Sequence, residues 1–175
     1  MRRHAVLAAA FAALSSALLA PARAAVPDDC RSSVDDPPPA NGPASHRVVQ
    51  AVSTDGVHFT DAGAPALLKA SVPEGLERPN GEFWVYYISG EAGRHGIHIG
   101  RVAAGGEIVP FECVRLDGAF DGHAVDPDVV RLADGRLRLF YKGDFGQSVP
   151  GAPAIESAIS DGGMHFSRQG VALDA

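Results

Sequence analysis

The chain has 175 residues, 46% of them hydrophobic and 21% charged, with a formal net charge of −6. That length supports a core of its own. The acidic balance argues against nucleic acid or an anionic membrane surface as partner, because both reward clustered Lys and Arg.

Residues 1–24 read as a secretory signal peptide: the basic start Met1-Arg2-Arg3-His4, an apolar run from Ala5 to Ala20, and the cleavage pattern Ala22-Arg23-Ala24. The run is short and alanine-rich for a membrane span, and no later segment reaches the needed length. A soluble, exported chain, secreted or periplasmic, is therefore expected. Cleavage leaves 151 residues with 12 Lys and Arg against 21 Asp and Glu, a formal −9. Val26-Pro27-Asp28-Asp29 lacks the small-residue pattern that precedes a lipid-modified cysteine. The two cysteines, Cys30 and Cys113, leave two states open, one disulfide or two unpaired thiols. Residues 25–45, including 35-DDPPPANGP-43, show almost no apolar periodicity and are expected to be a disordered leader.

From His46 onward the chain alternates brief β-favouring runs (47–53, 82–89, 96–102, 128–132, 136–142 and 155–160) with turn pairs. The turns are Asp55-Gly56, Asn80-Gly81, Gly105-Gly106, Asp134-Gly135 and Gly162-Gly163. Only the stretch 62–70 has the composition of a helical turn. An all-β domain over 46–175 follows.

That domain repeats. Setting 72-VPEGLERPNGEFWVYY-87 against 126-DPDVVRLADGRLRLFY-141 without a gap matches Pro73 with Pro127, Glu74 with Asp128, Asn80-Gly81 with Asp134-Gly135, and Tyr86-Tyr87 with Phe140-Tyr141, at an offset of 54. A second pair, 53-STDGVHF-59 and 160-SDGGMHF-166, matches at an offset of 107, close to twice the first. A period of about 50 residues built from four short antiparallel strands is the signature of a β-propeller blade. In chain order the reading is an outer hairpin (47–62), an inner hairpin (70–89), an outer (96–114), an inner (124–143) and an outer (154–172). That makes about two and a half blades. A closed ring of four or five such repeats needs roughly 220 to 270 residues, so the expectation is an incomplete propeller: a fragment, a truncated product, or a partial ring whose exposed edges another chain covers.

Three elements carry a resemblance: Ala70-Ser71-Val72-Pro73-Glu74 before a turn and a Tyr-Tyr strand, Asp126-Pro127-Asp128-Val129-Val130-Arg131-Leu132 before Asp134-Gly135, and the Ser-x-Asp-Gly-x-x-Phe hairpin of residues 53–59. Together they resemble exported bacterial five-bladed propellers related to arabinanase, β-xylosidase and invertase-type glycoside hydrolases. The hairpin is also similar to the sialidase Asp-box but one residue shorter, and such hairpins are structural where they occur. Asp55, His58, Asp161 and His165 are accordingly read as structural.

The resemblance implies that an aspartate of an Asp-Pro pair on an innermost strand acts as general base, with a second aspartate and a glutamate acid supplied by other blades. Asp126 fits the base, and Asp128 and Glu74 are the remaining candidates for catalytic carboxylates. Asp126 and Asp128, two apart on a strand, are expected to share a face at about 6 to 7 Å, where like charges raise one pKa. Glu74 is the repeat equivalent of Asp128 and is expected at the same point of the neighbouring blade. His123 and Arg131 are candidates for substrate contacts, although Arg131, with Arg136 and Arg138, also fits a solvated strand face. Asp121, His123, Asp126 and Asp128 match no known zinc or EF-hand spacing, so no metal is expected, and no cofactor motif is evident. Trp84, Tyr86 and Tyr87 offer sugar-stacking rings, but their match to Phe140 and Tyr141 points to core packing first.

These residues give two expectations: an exported propeller fragment that binds a glycan or small sugar and, when complete, hydrolyses it, or a non-catalytic carbohydrate- or protein-binding module. By itself the chain is expected to be inactive.

Overall fold

The computed structural model describes residues 25–34, 42–61, 63, 65–143 and 154–173; the signal-peptide reading of residues 1–24 lies outside them. Among the described residues the chain is all-β, with one 3-10 turn at Pro43–Ser45. Four short strands come first: β1 (Arg47–Val48), β2 (Ala51–Val52), β3 (Thr60–Asp61) and β4 (Leu67–Leu68). β1 pairs with β4 and β2 with β3, both antiparallel. The helical turn expected over 62–70 is therefore corrected where it is described. Leu67 and Leu68 lie opposite Val48 and Arg47, because tertiary pairing outweighs the weak helical propensity of an alanine-rich run.

β5 (Ala70–Glu77), β6 (Phe83–Ser89), β7 (Ile97–Val102) and β8 (Ile108–Cys113) form a four-stranded antiparallel meander in chain order. A short hairpin, β9 (Arg115–Leu116) and β10 (Ala119–Phe120), follows. β11 (Val125–Arg131), β12 (Leu137–Lys142), β13 (Ile155–Ser160) and β14 (His165–Leu173) form a second meander. The parallel pairing of β14 with β9, His165 opposite Arg115, joins that hairpin to it.

The turns form where the sequence supplies residues tolerant of positive φ: Gly81 at +83° and Gly135 at +88° close the two inner hairpins. The core follows from the period-2 alternation of each strand. On β6, Trp84, Tyr86 and Ile88 turn one way and join Leu137, Leu139 and Tyr141 of β12 in a core shared by the two sheets. Val85 and Tyr87 turn the other way and pack with Val48 and Ile108 under the first short strands. β11 lies against β5 and β6.

The leader expectation is corrected for residues 25–34. Cys30 and Cys113 form a disulfide with their Cα atoms 5.9 Å apart. Around it, Arg115 pairs with Asp29 at 2.8 Å and with Glu112 at 2.8 Å. The Ser32 N–H donates to Gly93 O at 2.9 Å. A segment too polar to bury itself is held by partners more than 60 residues away. Residues 42–45 of the expected leader are likewise placed, forming the 3-10 turn Pro43–Ser45 with Pro43 buried, and residues 35–41 lie outside the described residues.

Candidate functional site

The first strands of the two meanders, β5 and β11, share one irregularity. Pairing in β5–β6 passes from Ser71↔Ile88 to Glu74↔Tyr86, and in β11–β12 from Val125↔Lys142 to Asp128↔Phe140, so each inner strand carries one extra residue. Each bulge contains a non-glycine residue with positive φ just before a proline: Val72 at +48° and Asp126 at +54°. That region is unfavourable for L-residues, most of all for a β-branched one. The bulge recurs at the repeat offset with a different side chain, so it is a feature of the backbone design, which sets where Asp126 stands. Bulges of this kind re-aim a side chain at a sheet's rim.

Asp126 and Pro127 lie within the register shift, yet burial still alternates along β11, with Asp126 and Asp128 both exposed and Val125, Pro127 and Val129 buried. A third acid, Glu74, approaches Asp128 from the other sheet. Burial, followed by the negative charge of Asp128, raises the Glu74 carboxyl above the ordinary glutamate range. Glu74 is half-buried, while Asp126 and Asp128 are exposed. Their repeat equivalence thus places Glu74 and Asp128 at matching points of neighbouring strands, opposite Tyr86 and Phe140.

His123 stands just before β11, half-buried, with its backbone N–H donating to Asp121 Oδ1 at 2.9 Å. Its loop is held by buried His95, whose Nδ1 lies 2.8 Å from Gly122 O. Arg131 is at the far end of β11 from Asp126. Its Nη2 donates to Glu77 O at 2.9 Å and its Nη1 to Gly135 O at 3.4 Å. The guanidinium therefore ties β11 to β5 and is not brought to the carboxylates. It borders a cleft of about 540 Å3 with Leu76, Glu77, Arg78, Pro79 and Gly81, a lining that includes none of Glu74, Asp126 and Asp128.

A polar cluster outside the expected set lies behind the second sheet. The Tyr141 hydroxyl donates to Glu156 Oε2 at 2.6 Å, Arg168 Nε donates to the Tyr141 oxygen at 3.3 Å, and Arg168 Nη2 donates to Asp121 Oδ2 at 2.6 Å. Burial and the Glu156 carboxylate push the Tyr141 phenol above the ordinary tyrosine range. The spacing of 121, 141, 156 and 168 offers no local motif: the pairing of β12 with β13 sets Tyr141 opposite Glu156, the pairing of β13 with β14 adds Arg168 opposite Ala158, and Arg168 reaches Asp121.

Trp84, Tyr86 and Tyr87 are buried and so unavailable for stacking on a sugar. Cys30, Glu112 and Cys113 converge closely enough to hold an ion, but the disulfide consumes both thiolates. Asp55 is tied into its own turn, accepting from the backbone N–H groups of Val57 and His58 at 2.9 and 2.8 Å. Comparison with protein-family models, curated proteins and solved structures found no match.

Proposed function

We propose that the two meanders are blades of a five-bladed propeller of glycoside-hydrolase type, exported from the cell, and that the chain binds a glycan at the bulged ends of its innermost strands. The observation that carries this reading is the Glu74–Asp128 neighbourhood. A carboxyl whose pKa burial raises, set beside a second acidic side chain, is the pairing used to protonate a leaving oxygen while water is activated. In this reading Asp126 is the base of a complete ring, Asp128 the second aspartate and Glu74 the acid, with His123 at the rim. The described residues supply two innermost strands, so glycan binding is the activity assigned to this chain, and hydrolysis to a ring with all its carboxylates.

Calorimetric titration with arabino-, xylo- and fructo-oligosaccharides tests it. One class should bind, and Glu74→Gln with Asp128→Asn should weaken that binding at least tenfold; equal binding by the double variant, or none by the protein, retires the reading.

The pH dependence has a defined sign. A carboxyl whose folded pKa is raised favours the fold while protonated, so its contribution is complete below the unfolded value and is lost as pH rises through the folded one. Glu74→Gln should therefore flatten the fall of Tm just above pH 4.5, the ordinary glutamate value. An unchanged Tm profile would remove the shift from the case.

A further inference from the structure

The repeated hairpins 53–59 and 160–166 are built alike but live in different surroundings. Ser53 Oγ accepts from the N–H groups of Asp55 and Gly56 at 3.2 and 2.8 Å. Ser160 Oγ accepts from those of Gly162 and Gly163 at 3.2 and 2.8 Å. Gly56 and Gly163 both have positive φ, +74° and +87°. Around the second hairpin, the Tyr86 hydroxyl donates to Gly163 O at 2.9 Å. Arg115 N–H donates to Met164 O and Asp117 N–H to Phe166 O, each at 2.9 Å. Phe166 is 2% exposed. In the first hairpin its counterpart Phe59 is 64% exposed, Val57 is 74% exposed, and nothing lies within 4 Å of a Cβ placed on Gly56.

The middle hairpin behaves like the last. Ile108 at the start of β8 donates its N–H to Ala66 O at 2.9 Å, resting on the short strands before it. Both later hairpins thus dock on the preceding unit, and the first has no such unit among the described residues.

Among the described residues, the second meander carries the counterpart of the face that receives the last hairpin. Tyr86, which receives the last hairpin, corresponds at the repeat offset to Phe140. Phe140 is half-buried on the outer face of β12 with Arg138 and Lys142. Arg138 Nε is buried without a hydrogen-bond partner among the described residues, a donor that an incoming carbonyl would satisfy once the side chain turns outward. The hairpin supplies backbone carbonyls, the apolar Val57 and Phe59, and the exposed, acidic Asp61 to set against Arg138. Among the described residues hairpin 53–59 rests on no face and the Phe140 face receives no hairpin, and the two satisfy each other when two copies meet by a heterologous contact.

We propose that hairpin 53–59 of one copy docks on the Arg138 and Phe140 face of a second copy, so that the protein associates head to tail. Phe140 lacks the hydroxyl of Tyr86 and supplies the apolar part of the contact, while Arg138 supplies the donor. No part of this depends on the glycan reading, because it uses only the packing between repeats.

Sedimentation velocity on the purified protein over a concentration series tests it. The mass should rise to at least twice the monomer's, and Phe59→Asp and Phe140→Asp should each hold the protein at monomer mass. An equal mixture of the two variants should regain a dimer, because one intact hairpin then meets one intact face. A self-complementary interface would give no such rescue. Far-UV circular dichroism checks folding, and if Phe140→Asp unfolds the chain, Val130→Asp, at an exposed position opposite Arg138, takes its place. A wild-type protein that stays monomeric throughout, a Phe59→Asp variant that keeps the assembled mass, or a mixture that stays monomeric overturns the proposal.

Discussion

β6 and β12 hold the same place in the two meanders, yet they live differently. At the repeat offset, Trp84, Tyr86 and Ile88 of β6 correspond to Arg138, Phe140 and Lys142 of β12. The first three are buried between sheets, and the second three are half-buried on an outer face. One strand has apolar residues on both sides because it lies between two packed layers. The other alternates because, among the described residues, only one of its sides is fully buried. The hydrophobic pattern of a repeat therefore reports its position in the stack as well as its fold.

The largest expected effect breaks or keeps this contrast directly. Trp84→Ala empties a site packed by Phe111 at 5.2 Å and capped by Arg78 at 4.3 Å, and should cost about 3–5 kcal/mol. Arg138→Ala at the equivalent position should cost less than about 1 kcal/mol. Urea melts that give equal losses would mean that β12 is as enclosed as β6. Next in size is Tyr86→Phe, which strands the Gly163 carbonyl and should cost about 1–2 kcal/mol, whereas Phe140→Tyr should change the urea midpoint hardly at all. The smallest effect sharpens the comparison of the inner strands. Val72→Asn relieves a β-branched residue at positive φ and should raise stability by about 1 kcal/mol, while Asp126→Asn should be neutral, since Asn and Asp both tolerate that region. Equal responses at the two sites would show that the two bulges are not equivalent in strain.

Much of this was legible from the chain. The turn pairs and the 54-residue offset place the four long inner strands, because Asn-Gly and Asp-Gly encode their turns locally. Glu74 was legible only through its equivalence to Asp128. The bulge at Asp126 was hidden, because a residue before proline ordinarily avoids positive φ and only the sheet register imposes it. The tie of Arg131 to β5 was not legible because its acceptor, the Glu77 carbonyl, lies on a neighbouring strand. Residues 25–34 looked disordered because their anchors, Cys113, Arg115 and Gly93, are distant in sequence and composition carries no record of them.

The disulfide also gives the chain a direction. It spans 83 residues from Cys30 to Cys113, enclosing the short first strands and the whole first meander and nothing of the second. Closing it requires no residue beyond 113. A chain emerging from its N-terminus can lock its first half covalently before β11 exists, so that the second sheet assembles on a finished template.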